Sequence, residues 1–157
     1  MKIIAVLAMT DSLLIGAKNG LPWHLPEDMK HFRDITKWWI VIMGKTTYFS
    51  LPDAFRPLPG RRNIVLSRSL LEWVETFSDI RAMLEVLQNE WVERIFVIGG
   101  ASVYDQFFEQ DLVDEVELTL VEGQQYGDIF VQEFRNRFTR VAEKKSEGCT
   151  FYTLNHI

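Results

Sequence analysis

With 157 residues, 47% of them hydrophobic and 25% charged, the chain fits one folded domain with a sizeable core and lacks the composition of a disordered protein. A formal net charge of −5 argues against a partner held by bulk positive charge, so nucleic acid is not expected, and no run approaches the roughly 20 apolar residues of a membrane span. Cys149 stands alone, which excludes an internal disulfide and leaves the cytoplasm as the expected compartment.

The apolar run at the start is short, has only Lys2 before it, is soon followed by Asp11 and carries no small-residue cleavage motif, so Ile3 to Met9 is expected to be a buried strand rather than a secretion signal. Thr10 to Leu25 holds Asp11, Gly16, Gly20 and Pro22 with little regular pattern; a loop of that length suits a lid that keeps water off a reactive ring. Pro26 then opens a helix, with Met29, Phe32 and Ile35 expected to face inward and Glu27 outward. Further strands are expected at Trp39 to Met43, Asn63 to Ser67 and Arg94 to Ile98, because runs rich in Ile and Val without period-two alternation suit the interior of a parallel sheet. Between them, Thr46 to Leu51 predicts a helical turn. Ser78 predicts an N-cap for a helix that buries Ile80, Met83, Leu84 and Leu87, and another helix runs from Ala101 to Glu109. Glu115 to Val121 reads as a strand, and Val141 to Glu143 with Thr150 to Leu154 reads as a hairpin around the polar turn Lys144 to Gly148. The expected architecture is α/β: a single domain over residues 1–157 whose central, mostly parallel, twisted sheet carries helices on both faces and an antiparallel C-terminal hairpin.

Chemistry gathers at the carboxyl ends of the expected strands. Ile98-Gly99-Gly100-Ala101-Ser102-Val103-Tyr104 follows a strand and opens a helix, where small residues let backbone amides approach a phosphate. It has neither the Gly-x-Gly-x-x-Gly spacing nor the Lys-Ser/Thr ending of a P-loop, and two glycines after a strand are often only a tight turn. Gly44-Lys45-Thr46-Thr47 and Leu66-Ser67-Arg68 close two other strands. In a parallel sheet all three segments emerge on one edge, where NADPH, with its pyrophosphate and extra ribose phosphate, would find Lys45 and Arg68. Arg56, Arg61, Arg62 and Arg68 fall in thirteen residues free of Asp and Glu, which reads either as an anion site or as a solvated loop. Asp28, in a first helical turn, is ordinarily a surface group stabilised by the helix dipole. Its neighbours Trp23, Leu25, Pro26, Met29 and Phe32 instead place it at the edge of an apolar pocket, where two parallel charge-assisted hydrogen bonds would orient a pterin ring. His24, His31 and His156 have no metal-ligand spacing, and Ser50, Ser67 and Ser102 lie in no nucleophile elbow.

Ile15-Gly16, Leu21-Pro22-Trp23-His24-Leu25-Pro26-Glu27-Asp28, Val41-Ile42-Met43-Gly44-Lys45-Thr46-Thr47, Pro57-Leu58-Pro59-Gly60-Arg61-Arg62-Asn63 and Ile98 to Tyr104, in that order, resemble the dihydrofolate reductase family over essentially the whole chain. The resemblance implies NADPH-dependent reduction of 7,8-dihydrofolate to tetrahydrofolate, a one-carbon carrier, by a monomer. It implies that Asp28, with Trp23 beside it, serves catalysis and binds the pterin. Arg61 would pair with the α-carboxylate of the glutamate tail, Phe32, Leu51 and Leu58 would line the aminobenzoyl pocket, and Ile4 and Thr119 would sit beside the pterin. Val6 and Ile15 would give the nicotinamide carboxamide its backbone contacts, next to Gly16. The remaining cofactor contacts would come from Gly44, Lys45, Thr46, Thr47, Leu66, Ser67, Arg68 and Ile98, Gly99, Gly100, Ala101, Ser102, Val103 and Tyr104, with a cis bond at Gly99–Gly100. Departures are Leu13-Leu14 in a lengthened lid, Trp38-Trp39 ahead of a strand, Ala101 where many members have glycine and Thr46 where some have histidine. Two other readings stay open: a riboflavin-biosynthesis reductase of similar architecture, which gives no reason for Arg61, and a non-catalytic nucleotide-binding module, which has no need of Asp28.

Overall fold

The computed structural model describes residues 1–17 and 20–157. Its strands in chain order are β1 (Lys2–Met9), β2 (Leu14–Gly16), β3 (Ile40–Gly44), β4 (Arg62–Leu66), β5 (Glu75–Phe77), β6 (Arg94–Val97), β7 (Glu115–Val121), β8 (Ile129–Phe130), β9 (Phe138–Ser146) and β10 (Cys149–His156). The helices are α1 (Pro26–Thr36), α2 (Lys45–Ser50), α3 (Ile80–Asn89) and α4 (Ala101–Glu109). Eight strands form one sheet in the order β5-β4-β3-β6-β1-β7-β10-β9. Pairing is parallel from β5 through β7 and antiparallel from β7 to β10 and β9, the arrangement the strand–helix alternation predicts.

The unbroken apolar runs have a simple cause. In β1, Ile3, Ala5, Leu7 and Met9 join the cluster under α3 and α4, while Ile4 and Val6 join the opposite cluster, with Tyr48 of α2 and with Phe32 and Ile35 of α1 packed against it. Both pleat faces are covered, so neither can be polar. Each fully buried aliphatic side chain, such as Ile42 or Leu87, contributes about 1.5–3 kcal/mol of transfer free energy.

Several expectations are corrected. Asp79, not Ser78, caps α3: its carboxylate accepts the Ala82 amide at 3.1 Å, closing the first turn one residue later. Met29 points outward at 60% exposure, leaving Phe32 and Ile35 to hold α1 on the sheet. The Thr10 to Leu25 stretch is not patternless, since β2 pairs with β8; residues 18 and 19 of that expected lid lie outside the described residues. The hairpin is longer than Val141 to Glu143 with Thr150 to Leu154, because β9 is exposed from Thr139 to Lys145 and shows no apolar alternation to mark its extent.

Helix ends show a further pattern. α3 and α4 both close with the paired bonds of a Schellman motif: Trp91 N–H donates to Gln88 O at 3.1 Å and Val92 N–H to Leu87 O at 3.2 Å, and Asp111 and Leu112 donate to Phe108 and Phe107. The motif needs a left-handed residue, and Trp91 supplies it with φ 60°. Trp38, just past α1, and Trp73, ahead of β5, are also left-handed, with φ 73° and 67°.

Candidate active site

The parallel strands β4, β3 and β6 deliver their carboxyl ends side by side, which brings Ser67-Arg68, Gly44 to Thr47 and Ile98 to Tyr104 to one edge. The contact between the last two is close. Gly44 N–H donates to Gly99 O at 2.8 Å, and a Cβ on Gly44 would stand 3.0 Å from the Val103 side chain. Gly99 has φ +117°, the Gly99–Gly100 bond is cis, and the Tyr104 ring packs where a Gly99 side chain would go. Tyr104, buried in α4, donates its hydroxyl to the carbonyl of Val6 in β1. That bond ties the glycine edge to the middle of the sheet. Burial, with Asp28's charge added, pushes the Tyr104 phenol up, so it stays a donor at any physiological pH.

Asp28 sits on the inner flank of α1's first turn, over β7. Thr119, 3% exposed, donates its hydroxyl to Asp28 Oδ1 at 2.7 Å, leaving Oδ2 without a protein partner among the described residues. Burial raises the carboxyl's pKa; the Thr119 bond and the positive charge available to His31 act against it. Trp23, five residues ahead, is half-buried, and its indole N–H reaches no acceptor among the described residues. A buried donor in that condition fits a site completed by a ligand or by a water.

Beyond Asp28 the pocket runs along α1. Phe32 lies under the Arg61 guanidinium, 5.9 Å from ring centroid to Cζ. Leu58 is buried and Leu51 packs on the same cluster as Phe32, Ile4 and Val6. Arg61 donates to Pro59 O at 3.0 Å and to Thr36 Oγ1 at 3.2 Å, and has no carboxylate partner among the described residues. Two positioning residues escape sequence reasoning. Thr36, wholly buried, anchors both Phe32 O and Arg61, and Asn63 clamps Leu58 by donating to its carbonyl and accepting its amide. A lone Thr at a helix end and a lone Asn at a strand start carry no periodic signal.

Of the basic cluster, two members are structural. Arg56 pairs with Asp53 at 2.9 Å, and Arg62 bridges Glu75 and Glu90 at 2.8 and 2.6 Å. Arg61 and Arg68 remain for an anion. Lys45, Thr46 and Arg68 are exposed at the strand-end edge, and Thr47 Oγ1 lies 3.3 Å from where a Gly100 Cβ would be. Ser67 spends its amide on Phe77 O, and its hydroxyl accepts the Ser69 amide at 3.2 Å. Leu66, Ile98 and Ala101 are half-buried, and Ser102 stands exposed in the first turn of α4. Ile15 and Gly16 lie in β2, with Gly16 buried against Ile129.

The residues of this edge fit a nicotinamide dinucleotide: a backbone cradle that a side chain would fill, flanked by two cations without acidic partners among the described residues. The family model for dihydrofolate reductase matches residues 2–155. The chain belongs to the dihydrofolate reductase family. Curated dihydrofolate reductases align over nearly full length, at 37% identity for that of Neisseria gonorrhoeae (100% of this chain, 98% of the relative) and 35% for the type 3 enzyme of Salmonella typhimurium (99% and 98%). The enzyme of Candida albicans is 37% identical over 76% of this chain and 67% of its own. Membership makes the nicotinamide cofactor a property of the family rather than a guess from phosphate-sized geometry.

Proposed function

We propose that this chain reduces 7,8-dihydrofolate to tetrahydrofolate with NADPH. The observation that carries the reading is a half-buried carboxyl, Asp28, bonded to Thr119, between the glycine edge and an apolar slot that ends in Arg61. The pterin presents adjacent N–H donors that Asp28 accepts in parallel, which fixes the ring's angle. Arg61, braced by Thr36 and Pro59, receives the α-carboxylate of the glutamate tail, and Phe32, Leu51 and Leu58 pack the aminobenzoyl ring between them.

NADPH, when bound, supplies the hydride that C6 of the pterin takes up. Lys45 and Arg68 hold its 2′-phosphate, and Thr46, Thr47, Ser102 and the Gly99–Gly100 backbone meet its pyrophosphate. Val6 and Ile15 contact the carboxamide through the main chain. Asp28's work is the proton. Burial holds its carboxyl in the protonated form to higher pH than an exposed aspartate, so a proton for N5 is at hand when the imine must become cationic. Trp23's indole N–H, which has no acceptor among the described residues, supports a role in holding a water on that route. Aligning the two rings removes much of the entropy cost of the reaction, an effect worth up to about 7–11 kcal/mol of barrier. The same reading expects a monomer working in the cytoplasm; no helix among the described residues is long and apolar enough to cross a membrane.

The test is the loss of absorbance at 340 nm when the protein meets dihydrofolate and NADPH. Turnover with NADPH and none with NADH supports the reading. Tight NADPH binding with no oxidation would leave only a nucleotide-binding module.

A further inference from the structure

α1 has a second chemical flank. Where Asp28 lies over Thr119 of β7, His31, one turn later, lies over Phe151 of β10, with ring centroids 4.3 Å apart and planes tilted by 34°. Thr119 and Phe151 are cross-strand partners on the same rung of the sheet. The helical step of three residues and the sheet rung therefore fix the imidazole and the carboxyl as neighbours by two independent routes. His31 opens to a cleft of about 230 Å³, and none of the residues lining it is a substrate or cofactor contact proposed above.

The geometry points to His31 as a positioning residue that governs how tightly Asp28 holds its proton, reporting solvent pH to the reaction pocket through the body of α1. This rests on the proposed role of Asp28. Charged groups face His31 from three elements, Glu27, Asp28, Lys30 and Asp34 on α1, Glu117 on β7, and Glu143 and Lys144 on β9, while β10 offers the uncharged Phe151 and Thr153. Burial and Lys144 disfavour the imidazolium; Asp28 and Asp34 favour it. A protonated His31 in turn favours the Asp28 carboxylate, against burial. Each proton makes the other harder to hold, and thermodynamic linkage makes the two effects equal. The stack on Phe151 keeps the imidazole from swinging into water when it is charged.

Carboxyl ¹³C and imidazole ¹⁵N titrations of the intact protein test this without substrate. In both His31→Phe, which keeps an aromatic on Phe151, and His31→Gln, the Asp28 midpoint is expected to rise. The rise should shrink as salt goes from 0.1 M to 1 M and the screening length falls from about 10 to about 3 Å. In Asp28→Asn the His31 midpoint is expected to fall by the same amount. The ratio of variant to wild-type turnover should grow as pH drops from about 7 to about 5, where histidine gains its proton. An Asp28 midpoint unmoved in both His31 variants overturns the inference. Absence of dihydrofolate turnover in the wild type would instead strike the proposed function, leaving the two titrations to be judged on their own.

Discussion

In the proposed reaction two demands oppose each other at Asp28: the carboxyl would hold a pterin, for which charge helps, and would keep a proton available, for which burial helps. Thr119 and burial together set the balance. Asp28→Asn should fold normally yet lose turnover by about 10²- to 10⁴-fold, with the loss deepening as pH rises, as measured by pre-steady-state oxidation of NADPH. Equal pH profiles in the two proteins would remove Asp28 from proton transfer. The proposal gives Arg61 a role in binding alone. Arg61→Lys should raise KM for dihydrofolate by about 10- to 100-fold with kcat nearly unchanged, since a lysine loses the planar two-pronged contact and the brace from Thr36. Asp28 stood out in the sequence because an acid in apolar company is chemically out of place, whereas Arg61, one of four clustered arginines, was singled out only by the family resemblance. His31 did not stand out, since its meaning depends on Phe151, which is 120 positions away in the chain and arrives only through the sheet.

The elements were legible where both faces of a strand are buried, as in β1, β3, β4 and β6. They were illegible where pairing is short or wet: β2, β5 and β8 have two or three residues each, too few to show a period. Element ends carry a different lesson. Trp38, Trp73 and Trp91 are 76%, 92% and 89% exposed and all left-handed, a backbone region that costs a residue with a Cβ about 1–2 kcal/mol. Trp73 and Trp91 regain nothing by packing, and these are positions built for glycine. Trp73→Gly and Trp91→Gly should each stabilise the protein by about 1 kcal/mol, read as a higher urea midpoint. Trp38→Gly should gain less, because its ring lies over Gly60 and takes Lys37 at 5.1 Å. Lower midpoints for both Trp73→Gly and Trp91→Gly would contradict the strain argument.

The whole molecule carries its own pH dependence away from the pocket. Glu117, half-buried in β7 and crowded by Glu115, is pushed up to about 7, by burial first and by the neighbouring carboxylate second. The folded protein thus binds that proton more tightly than the unfolded chain does. The resulting stability is full below pH 4.5, declines as pH rises, and is gone above about 7. Melting temperature should fall between pH 5 and 8 in the wild type, and Glu117→Gln should flatten that fall; parallel curves would place the dependence elsewhere. Glu133 has the opposite sign: its bond to Arg135 holds it down to about 2, so its contribution is full above pH 4.5 and is lost as pH falls from there towards 2.

The sheet order has a consequence for how the molecule is born. Of these strands β1 leaves the ribosome first, yet it ends between β6 and β7, which begin at Arg94 and Glu115. Until they follow, a greasy ribbon waits without its two neighbours, and the sheet's middle closes only once β7 has emerged. Such long-range closure makes for slow maturation, and a nascent chain halted before residue 115 should remain a client of holding chaperones until elongation resumes.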